Sequence, residues 1–393
     1  MIQVNRIYLI FNRLVTKKFL VDTSAFIYKL YYFIMKNFSM ILLMIVSMIS
    51  CSSKGDELKE LPSLPDEPVI EEPNPIPGST DKIVVGYVTS WSNHEVKPEY
   101  VTHINYAFGY VQGTFRGIGI SNEERLRSVV ALKKQASHLK VLLSIGGWGS
   151  GNFSEMAADA DNRLAFAADC KRVIDEFGLD GIDIDWEFPT SNMAGISSSP
   201  DDTRNYNLMM RDIRQAIGSN KLLTLATVCS ADYIDFEGVM PYIDFVNIMA
   251  YDMENPPKHN APLYQSSKFP GWFNCDMAVK AHCAKGVPAS MLVLGMPFYG
   301  HGTDIYDHST DFKNVKVPSG YTNCWDDEAK VPYVTDKNGR FVLSYDNARS
   351  IGLKCDYILE NELLGAMFWD DAGDDSNDTL HKTIANKLFV KSN

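Results

Sequence analysis

The sequence predicts an α/β protein built as a single (β/α)₈ TIM barrel, and three observations support this prediction. Eight short apolar runs lie along residues 82–393, and each has the length of a buried parallel strand. Amphipathic helical patterns separate these runs, as the alternation of strands and helices in such a barrel requires. No glycine-rich phosphate loop follows the first run, which argues against a doubly wound open sheet.

The individual elements follow in chain order from this patterning. The strand candidates are residues 83–88, 103–108, 141–145, 181–188, 222–228, 245–251, 293–298 and 366–369. One helix has apolar residues at helical spacing over residues 166–177 and is ended by Gly178. A second helix covers residues 206–217 and is ended by Gly218.

Residues 1–50 predict an upstream extension followed by an export signal. Lys36 precedes a short apolar run at residues 40–46, an order that fits the basic and apolar regions of a secretory signal peptide. Ser50 followed by Cys51 resembles the bacterial lipoprotein signal, which implies that Cys51 is lipidated in the mature chain. We therefore expect an exported protein with a lipid anchor to the membrane, in the bacterial cell envelope, either periplasmic or at the cell surface.

A transmembrane anchor over residues 25–50 is the alternative interpretation of this region. Lys29 and Lys36 interrupt it, whereas a spanning helix needs about 20 mostly apolar residues. Residues 51–80 are rich in proline and glutamate and predict an extended tether that has no core of its own. The barrel is expected to occupy residues 81–393 and to be monomeric.

Charge and cysteine content restrict the partners and the redox chemistry. The net charge of −12 argues against a nucleic-acid partner, because neutralising phosphates needs lysine and arginine. Six cysteines follow Cys51, without the spacing of a metal site. Export permits disulfides, but free thiols are equally compatible with the sequence. Cys275 and Cys283 are close enough in sequence to pair.

Residues 180–187, which read Asp-Gly-Ile-Asp-Ile-Asp-Trp-Glu, form the most informative segment. Side chains alternate between the faces of a strand, so Asp183, Asp185 and Glu187 share one face. Buried carboxylates are costly and raise each other's pKa, so this strand predicts either acid chemistry or a metal site. No histidine joins the acids, and the apolar exit at residues 186–189 is unusual for a Mg²⁺ or Ca²⁺ loop. Glu187, at the strand end where barrel active sites lie, is the candidate general acid.

Residues 180–187 resemble the DxxDxDxE signature of glycoside hydrolase family 18, the chitinase family, and Phe188-Pro189 resembles its chitinase branch. Six other segments resemble further strands of that family in the same order: residues 86–91, 105–108, 144–148, 249–252, 295–300 and 365–369. The acidic signature is highly specific when it occurs together with the SxGG motif at residues 144–147 and the MxYD motif at residues 249–252. The resemblance covers about residues 82–385.

The resemblance implies retaining, substrate-assisted hydrolysis of β-1,4-linked N-acetylglucosamine, as in chitin or chitooligosaccharides, without a cofactor or a metal ion. Glu187 would protonate the glycosidic oxygen and later activate water. Asp185 would orient the 2-acetamido group of the sugar, whose carbonyl attacks C1 to give an oxazolinium intermediate. Asp183 would pair with Asp185, and Tyr251 would donate its hydroxyl to the acetamido oxygen.

The resemblance also implies a cleft built from residues at the strand ends. The substrate-binding candidates are Tyr87, Phe108, Gly147, Trp148, Met249, Asp252 and Trp369. Trp369 would form the floor of the subsite that holds the reacting sugar, since pyranose rings have apolar faces. Barrel packing is the alternative interpretation for Phe108 and Met249. The sequence does not show whether Trp91, Trp272 and Trp325 bind sugars in subsites or are only surface aromatics.

Two other functions remain open at this point. One is an endo-β-N-acetylglucosaminidase acting on the chitobiose core of N-glycans, although residues 186–189 favour chitin. The other is a lectin that binds chitin or other glycans without cleaving them; such family members usually lose the acid or its partners, which are all present here. The segment between the seventh strand and residues 340–346 is too short for the family's full α+β insertion. The sequence therefore also predicts a reduced or absent insertion between strand 7 and helix 7.

Overall fold

The computed structural model describes residues 80–390, and a closed barrel of eight parallel strands forms their centre. The strands are β1 (Ile83–Thr89), β2 (His103–Val111), β3 (Ile118–Ile120), β4 (Lys140–Gly146), β5 (Gly181–Asp185), β6 (Leu222–Val228), β7 (Phe245–Met249), β8 (Leu292–Pro297), β9 (Tyr299–Gly302), β10 (Ser309–Asp311), β11 (Thr322–Asp326), β12 (Val331–Thr335), β13 (Phe341–Ser344) and β14 (Gly365–Trp369). The barrel order is β1-β14-β8-β7-β6-β5-β4-β2, and β1 pairs in parallel with β2 to close it. The predicted eight-stranded barrel is therefore confirmed.

Helices between the strands cover the outside of this barrel. They are α1 (Glu123–Ala131), α2 (Phe153–Ala158), α3 (Ala160–Phe177), α4 (Asp202–Ile217), α5 (Phe236–Val239), α6 (Cys275–Ala284), α7 (Ala348–Glu360) and α8 (Thr379–Leu388). The α3 helix shows why the sequence folds this way. Asp159 caps its first turn by accepting from Asn162 N at 2.9 Å, and Gly178 ends it in the left-handed conformation at φ 71°. Both helices that the apolar spacing predicts are present.

An insertion of five antiparallel strands stands between β8 and α7. Its order is β10-β9-β13-β12-β11, and its small core contains Val334, Val342 and Leu343. The sequence predicts a reduced or absent insertion, and the structure shows that an insertion is present. No α-helix occurs within residues 299–344, where a short 3₁₀ turn at Phe312–Asn314 is the helical part.

The two faces of the barrel strands have different surroundings. The outward apolar residues of β5, such as Ile182, Ile184 and Trp186 just beyond its end, belong to the large core between the strands and the helices. A second, smaller apolar cluster lies inside the barrel and includes Tyr87 and Met367. The inward carboxylates of β5 therefore sit inside a closed barrel, which keeps them away from water except at the rim.

Two strands end earlier than the sequence suggests. The apolar pattern predicts β5 to residue 188, but its pairing with β4 ends at Asp185 and its pairing with β6 ends at Ile184. The following backbone has no strand to pair with, so Glu187 lies on the exit from the barrel. The β7 strand likewise ends at Met249 rather than at residue 251.

The six cysteines within residues 80–390 are free thiols. Cys275 and Cys283 lie on the same helix, α6, eight positions apart. At a rise of ~1.5 Å per residue they are about 12 Å apart along the axis, beyond the reach of a disulfide. No helix of the described residues is long and apolar enough to cross a membrane. The predicted signal, Cys51 and most of the tether lie outside the described residues.

Candidate active site

Asp183 lies inside the barrel on β5 and accepts hydrogen bonds from four other strands. Its Oδ2 accepts from the Tyr87 hydroxyl and from Ser144 Oγ, both at 2.8 Å. Its Oδ1 accepts from Thr224 Oγ1 at 2.6 Å and from Asn247 Nδ2 at 3.2 Å. Burial raises the pKa of Asp183, while the four donors act in the opposite direction. The carboxyl group is therefore held in one orientation by β1, β4, β6 and β7.

Asp185 lies on the same face of β5, two residues nearer the rim. It is 3% exposed, and its Oδ1 has no hydrogen-bond partner among residues 80–390. Burial raises the pKa of Asp185 well above its usual value, and the charges of Glu187 and Asp183 raise it further. A buried oxygen without a donor is costly, so this atom is suited to accept a hydrogen bond from a ligand.

Glu187 follows β5 on the way out of the barrel and is half-buried. Burial raises its pKa to about 7, and the carboxylate of Asp252 contributes to this rise. A carboxyl group with such a pKa keeps its proton in part of the molecules at neutral pH. Glu187 also faces the cleft, so it meets both requirements of a general acid, a tuned pKa and access to a ligand.

Tyr251 and Asp252 follow β7 and also line the cleft. The Tyr251 hydroxyl donates to Met367 Sδ at 3.7 Å, a long and weak contact. Burial, together with the nearby carboxylates, raises the pKa of Tyr251 well above its usual value, so the hydroxyl keeps its proton. Asp252 Oδ1 accepts from the Tyr299 hydroxyl at 2.5 Å and lies 2.8 Å from His301 Nε2.

Trp369 ends β14 and anchors an aromatic cluster at one end of the cleft. Its ring stacks on Phe108 with centroids 5.6 Å apart, and Tyr87 and Trp91 lie 5.6 and 6.4 Å from it. Together with Asp185 and Glu187 these rings line a cavity of about 280 Å³, which we call the small compartment. It combines apolar ring faces with carboxyl groups, a combination suited to a sugar ring.

A large compartment of about 770 Å³ continues from the small one across Glu187 and Trp369. Tyr251 and Asp252 also line both compartments. The outer wall of the large compartment carries further aromatic residues, including Trp272, which is 52% exposed. The cleft therefore extends on both sides of Glu187, as binding of an extended chain would require.

The remaining predicted substrate-binding residues lie at the cleft in different ways. Trp148 is 63% exposed and lines both compartments, as does Met249. Gly147 donates its backbone N–H to Asp185 O at 2.9 Å. A Cβ atom at Gly147 would lie 2.7 Å from the Phe108 ring. The glycine therefore allows the close approach of Phe108 to the backbone that follows β4 and bonds to Asp185.

The family model of glycosyl hydrolases family 18 matches residues 83–374, which is most of the chain and includes every cleft residue described above. The chain belongs to glycosyl hydrolase family 18. This membership confirms the resemblance that residues 180–187 carry and identifies the chain as a chitinase-like glycosidase.

Individual family 18 proteins agree with this assignment. The chain is 30% identical over 412 residues to Chitinase A1 of Niallia circulans, with 78% of this chain and 58% of that protein covered. It is 31% identical over 346 residues to Chitotriosidase-1 of Mus musculus, with coverage of 74% and 73%. A solved family 18 N-acetylglucosaminidase from Paenibacillus barengoltzii matches with a TM-score of 0.70 at 32% identity, covering 78% of this chain and 100% of that one. The chain thus spans less than two thirds of Chitinase A1.

Several residues of this family 18 cleft were missed or left unranked by sequence reasoning. Trp91 lines the small compartment and Trp272 the large one, whereas Trp325 stacks on the Arg349 guanidinium at 3.8 Å. Tyr299 lies in the segment 295–300 that resembles the family, and His301 follows it, but neither was predicted as a site residue or as a partner of Asp252.

Metal ligation has no support from side-chain geometry in this part of the chain. No group of three His, Cys, Asp or Glu side chains within residues 80–390 is arranged to hold a metal ion. Asp183 already accepts from four donors, and these are the groups that a cation would have to replace. The acids of β5 therefore fit a ligand that donates hydrogen bonds better than they fit a cation.

Proposed function

We propose that the protein is a retaining glycoside hydrolase that cleaves β-1,4-linked N-acetylglucosamine in chitin or chitooligosaccharides, with the 2-acetamido group of the substrate as the nucleophile. The observation that carries the proposal is the unpartnered Oδ1 of Asp185, buried between Asp183 and the acid Glu187. A second protein nucleophile would need free access to the sugar C1. Asp185 instead lies deeper in the barrel and offers an acceptor to an N–H group.

The first half of the reaction breaks the glycosidic bond. Glu187 gives its proton to the glycosidic oxygen while the bond from C1 to that oxygen breaks. The acetamido carbonyl oxygen attacks C1 from the opposite face and forms an oxazolinium ring. Asp185 accepts a hydrogen bond from the acetamido N–H and offsets the positive charge of the ring. Tyr251, whose pKa is raised, donates its hydroxyl to the acetamido oxygen.

The second half of the reaction releases the sugar with the same anomeric configuration. Glu187, now a carboxylate, takes a proton from a water molecule that attacks C1 and opens the oxazolinium ring. Two inversions at C1 give net retention. Asp183 does not touch the substrate in this scheme. Its four hydrogen bonds hold it beside Asp185, where its charge contributes to the raised pKa of Asp185.

The two compartments and the relatives support the proposed substrate. Pyranose rings present apolar C–H faces, which match the rings of Trp369 in the small compartment and Trp272 in the large one. Chitinase A1, Chitotriosidase-1 and the N-acetylglucosaminidase are named for substrates or products made of N-acetylglucosamine. An extended cleft on both sides of Glu187 supports cleavage within a chain of such sugars.

The decisive experiment incubates the full-length protein with chitooligosaccharides and, separately, with an N-glycoprotein. Wild type and Glu237→Gln, a control at an exposed glutamate on α5, are expected to cleave the oligosaccharides to β-anomeric products. Glu187→Gln is expected to lose activity by roughly 10³-fold with unchanged circular dichroism. Cleavage of the glycoprotein alone would favour the chitobiose-core activity, and binding without turnover would favour a lectin. Rapid cleavage of fully deacetylated chitosan would contradict substrate assistance.

We also propose that the chain is exported and carries lipid on Cys51, with residues 51–80 as its tether. The order of Lys36, the apolar run 40–46 and Ser50 before Cys51 supports this assignment. Metabolic labelling with an alkyne fatty acid is expected to mark wild type but not Cys51→Ser. Recovery of unlabelled wild-type protein in the soluble fraction would contradict the proposal.

A further inference from the structure

His301 connects the insertion to the barrel at the edge of the large compartment. It lies on β9, and its side chain is 7% exposed. Its Nε2 is 2.8 Å from Asp252 Oδ1, and its Nδ1 is 2.8 Å from the carbonyl oxygen of Glu254. Both partners belong to the loop that follows β7. The imidazole therefore links β9 to the loop that follows β7.

The protonation state of the His301 imidazole follows from its two hydrogen-bond partners. A carbonyl oxygen only accepts, so His301 Nδ1 carries a hydrogen. A neutral imidazole with that hydrogen would turn the lone pair of Nε2 toward the carboxyl group of Asp252. The 2.8 Å contact therefore needs a proton between Nε2 and Oδ1, as in an imidazolium facing a carboxylate. Burial lowers the pKa of His301, but the bond and charge of Asp252 outweigh it and raise the pKa overall.

Other ionisable groups surround this contact. They are Glu254 with its partner Lys258, Tyr299, His308 and, across Asp252, Tyr251 and Glu187. Lys258 Nζ lies 2.7 Å from Glu254 Oε1 and balances its charge. The Tyr299 hydroxyl shares Asp252 Oδ1 with His301, and burial raises its pKa well above the usual value, so it stays neutral. His308 has its ring centroid 5.0 Å from that of His301. His301 is thus the cation in contact with Asp252.

We propose that His301 is a positioning residue that acts through Asp252: its proton holds the Asp252 carboxylate in place and sets how strongly that carboxylate acts on Glu187. This inference rests on the proposed role of Glu187 as the acid. With its proton, His301 balances the charge of Asp252. Without the proton, the full negative charge acts on Glu187 and keeps Glu187 protonated to higher pH.

The test compares pH profiles of kcat/KM for the full-length wild type, His301→Gln and His301→Lys, with His308→Gln as a neighbouring control. Glutamine keeps a donor but removes the charge, so the alkaline limb is expected to move up by about 0.5 pH unit. Lysine keeps the charge and is expected to leave the limb at the wild-type position, as is His308→Gln. A merely structural role would lower activity in both His301 variants without moving the limb, and that result would overturn the proposal.

A second readout does not depend on turnover. The ¹³C signal of the Glu187 carboxyl group, assigned by its loss in Glu187→Gln, is followed through a pH titration of the same proteins. The Glu187 midpoint is expected to rise in His301→Gln and to stay in place in His301→Lys. This shift in a protein that cleaves no chitooligosaccharide would support the link from His301 to Glu187 while contradicting the proposed function. An unchanged midpoint in His301→Gln would overturn the inference whether or not the protein is active.

Discussion

Thr224 Oγ1 donates a hydrogen bond of 2.6 Å to Asp183 Oδ1 inside the barrel, where both side chains are fully buried. The same strand, β6, carries Thr227, which is 1% exposed and whose hydroxyl has no hydrogen-bond partner within residues 80–390. Two buried threonines on one strand thus differ in whether their hydroxyl supports a carboxyl group. This difference makes them a matched pair for measuring what the support of Asp183 contributes.

Thr224→Val is expected to lower the free energy of unfolding by about 1–3 kcal/mol, because a buried carboxyl oxygen loses its shortest hydrogen bond. Thr227→Val removes a hydroxyl that bonds nothing in the described structure, so its effect is expected to stay within about 0.5 kcal/mol or to be stabilising. Urea unfolding at pH 7 gives both values. Equal losses of unfolding free energy in the two variants would show that the hydrogen bond to Asp183 does not stabilise the fold.

The charge of Asp252 is expected to set the alkaline limit of activity. Burial and the Asp252 carboxylate raise the pKa of Glu187 to about 7, so kcat/KM should fall as the pH rises through about 7. Asp252→Asn removes a negative charge and should lower the pKa of Glu187, which moves this limb to lower pH. Asp232→Asn, at another acid that lines the large compartment, is the control and should leave the limb in place. A limb that stays fixed in Asp252→Asn would contradict the electrostatic link.

The barrel was predictable because its strands are buried on both faces and therefore stand out as apolar runs. The strands of the insertion were not, since they are short and two of them, β10 and β11, are partly exposed. Thr322–Asp326, for example, has one buried residue in five. The end of β5 was also misplaced, because Trp186 and Phe188 continue the alternation after the pairing with β4 and β6 has ended. Apolar alternation marks burial, but strand ends depend on where the neighbouring strands stop.

The acids of β5 were predictable as a group because their spacing places them on one face. The environment of Asp252 was not. Its partner Tyr299 lies 47 positions away in the sequence and reaches it from the insertion. The donors to Asp183 likewise come from four strands, and nothing in their own segments marks them as its partners. Contacts that depend on barrel closure become visible only in the folded chain.

Gly146 is expected to be indispensable for the position of Asp185. A Cβ atom at Gly146, whose φ is 133°, would lie 2.0 Å from the carbonyl oxygen of Asp185. Gly146→Ala should therefore displace the backbone of Asp185 and lower kcat by about 100-fold or prevent folding. Gly149→Ala is the control, since its φ is also positive but its nearest atom is 3.8 Å away. Activity and melting temperature distinguish them, and equal behaviour of the two variants would refute the steric argument.

His381 is expected to make the barrel less stable as the pH becomes alkaline. Its Nδ1 lies 2.6 Å from Asp374 Oδ2 and its Nε2 lies 3.2 Å from Asp371 Oδ1. Burial lowers the pKa of His381, but the two carboxylates outweigh it and raise the pKa to about 9. The stabilisation is therefore complete below the unfolded pKa of about 6.5 and is lost as the pH rises through about 9. The shift corresponds to roughly 3 kcal/mol.

Urea unfolding between pH 6 and pH 10 tests this dependence. The free energy of unfolding of wild type should fall by roughly 3 kcal/mol over that range, and the fall should be much smaller in His381→Gln. His282→Gln is the matched control, because burial lowers the pKa of His282 to about 4 and its titration lies outside this window. Asp371 follows Trp369 by two positions, and His94, in the loop after Trp91, lies 3.6 Å from it. Loss of the His381 proton should therefore also loosen the aromatic end of the cleft, which a rise in KM above pH 9 would report. An equal pH slope in wild type and His381→Gln would contradict the assignment of the charge to His381.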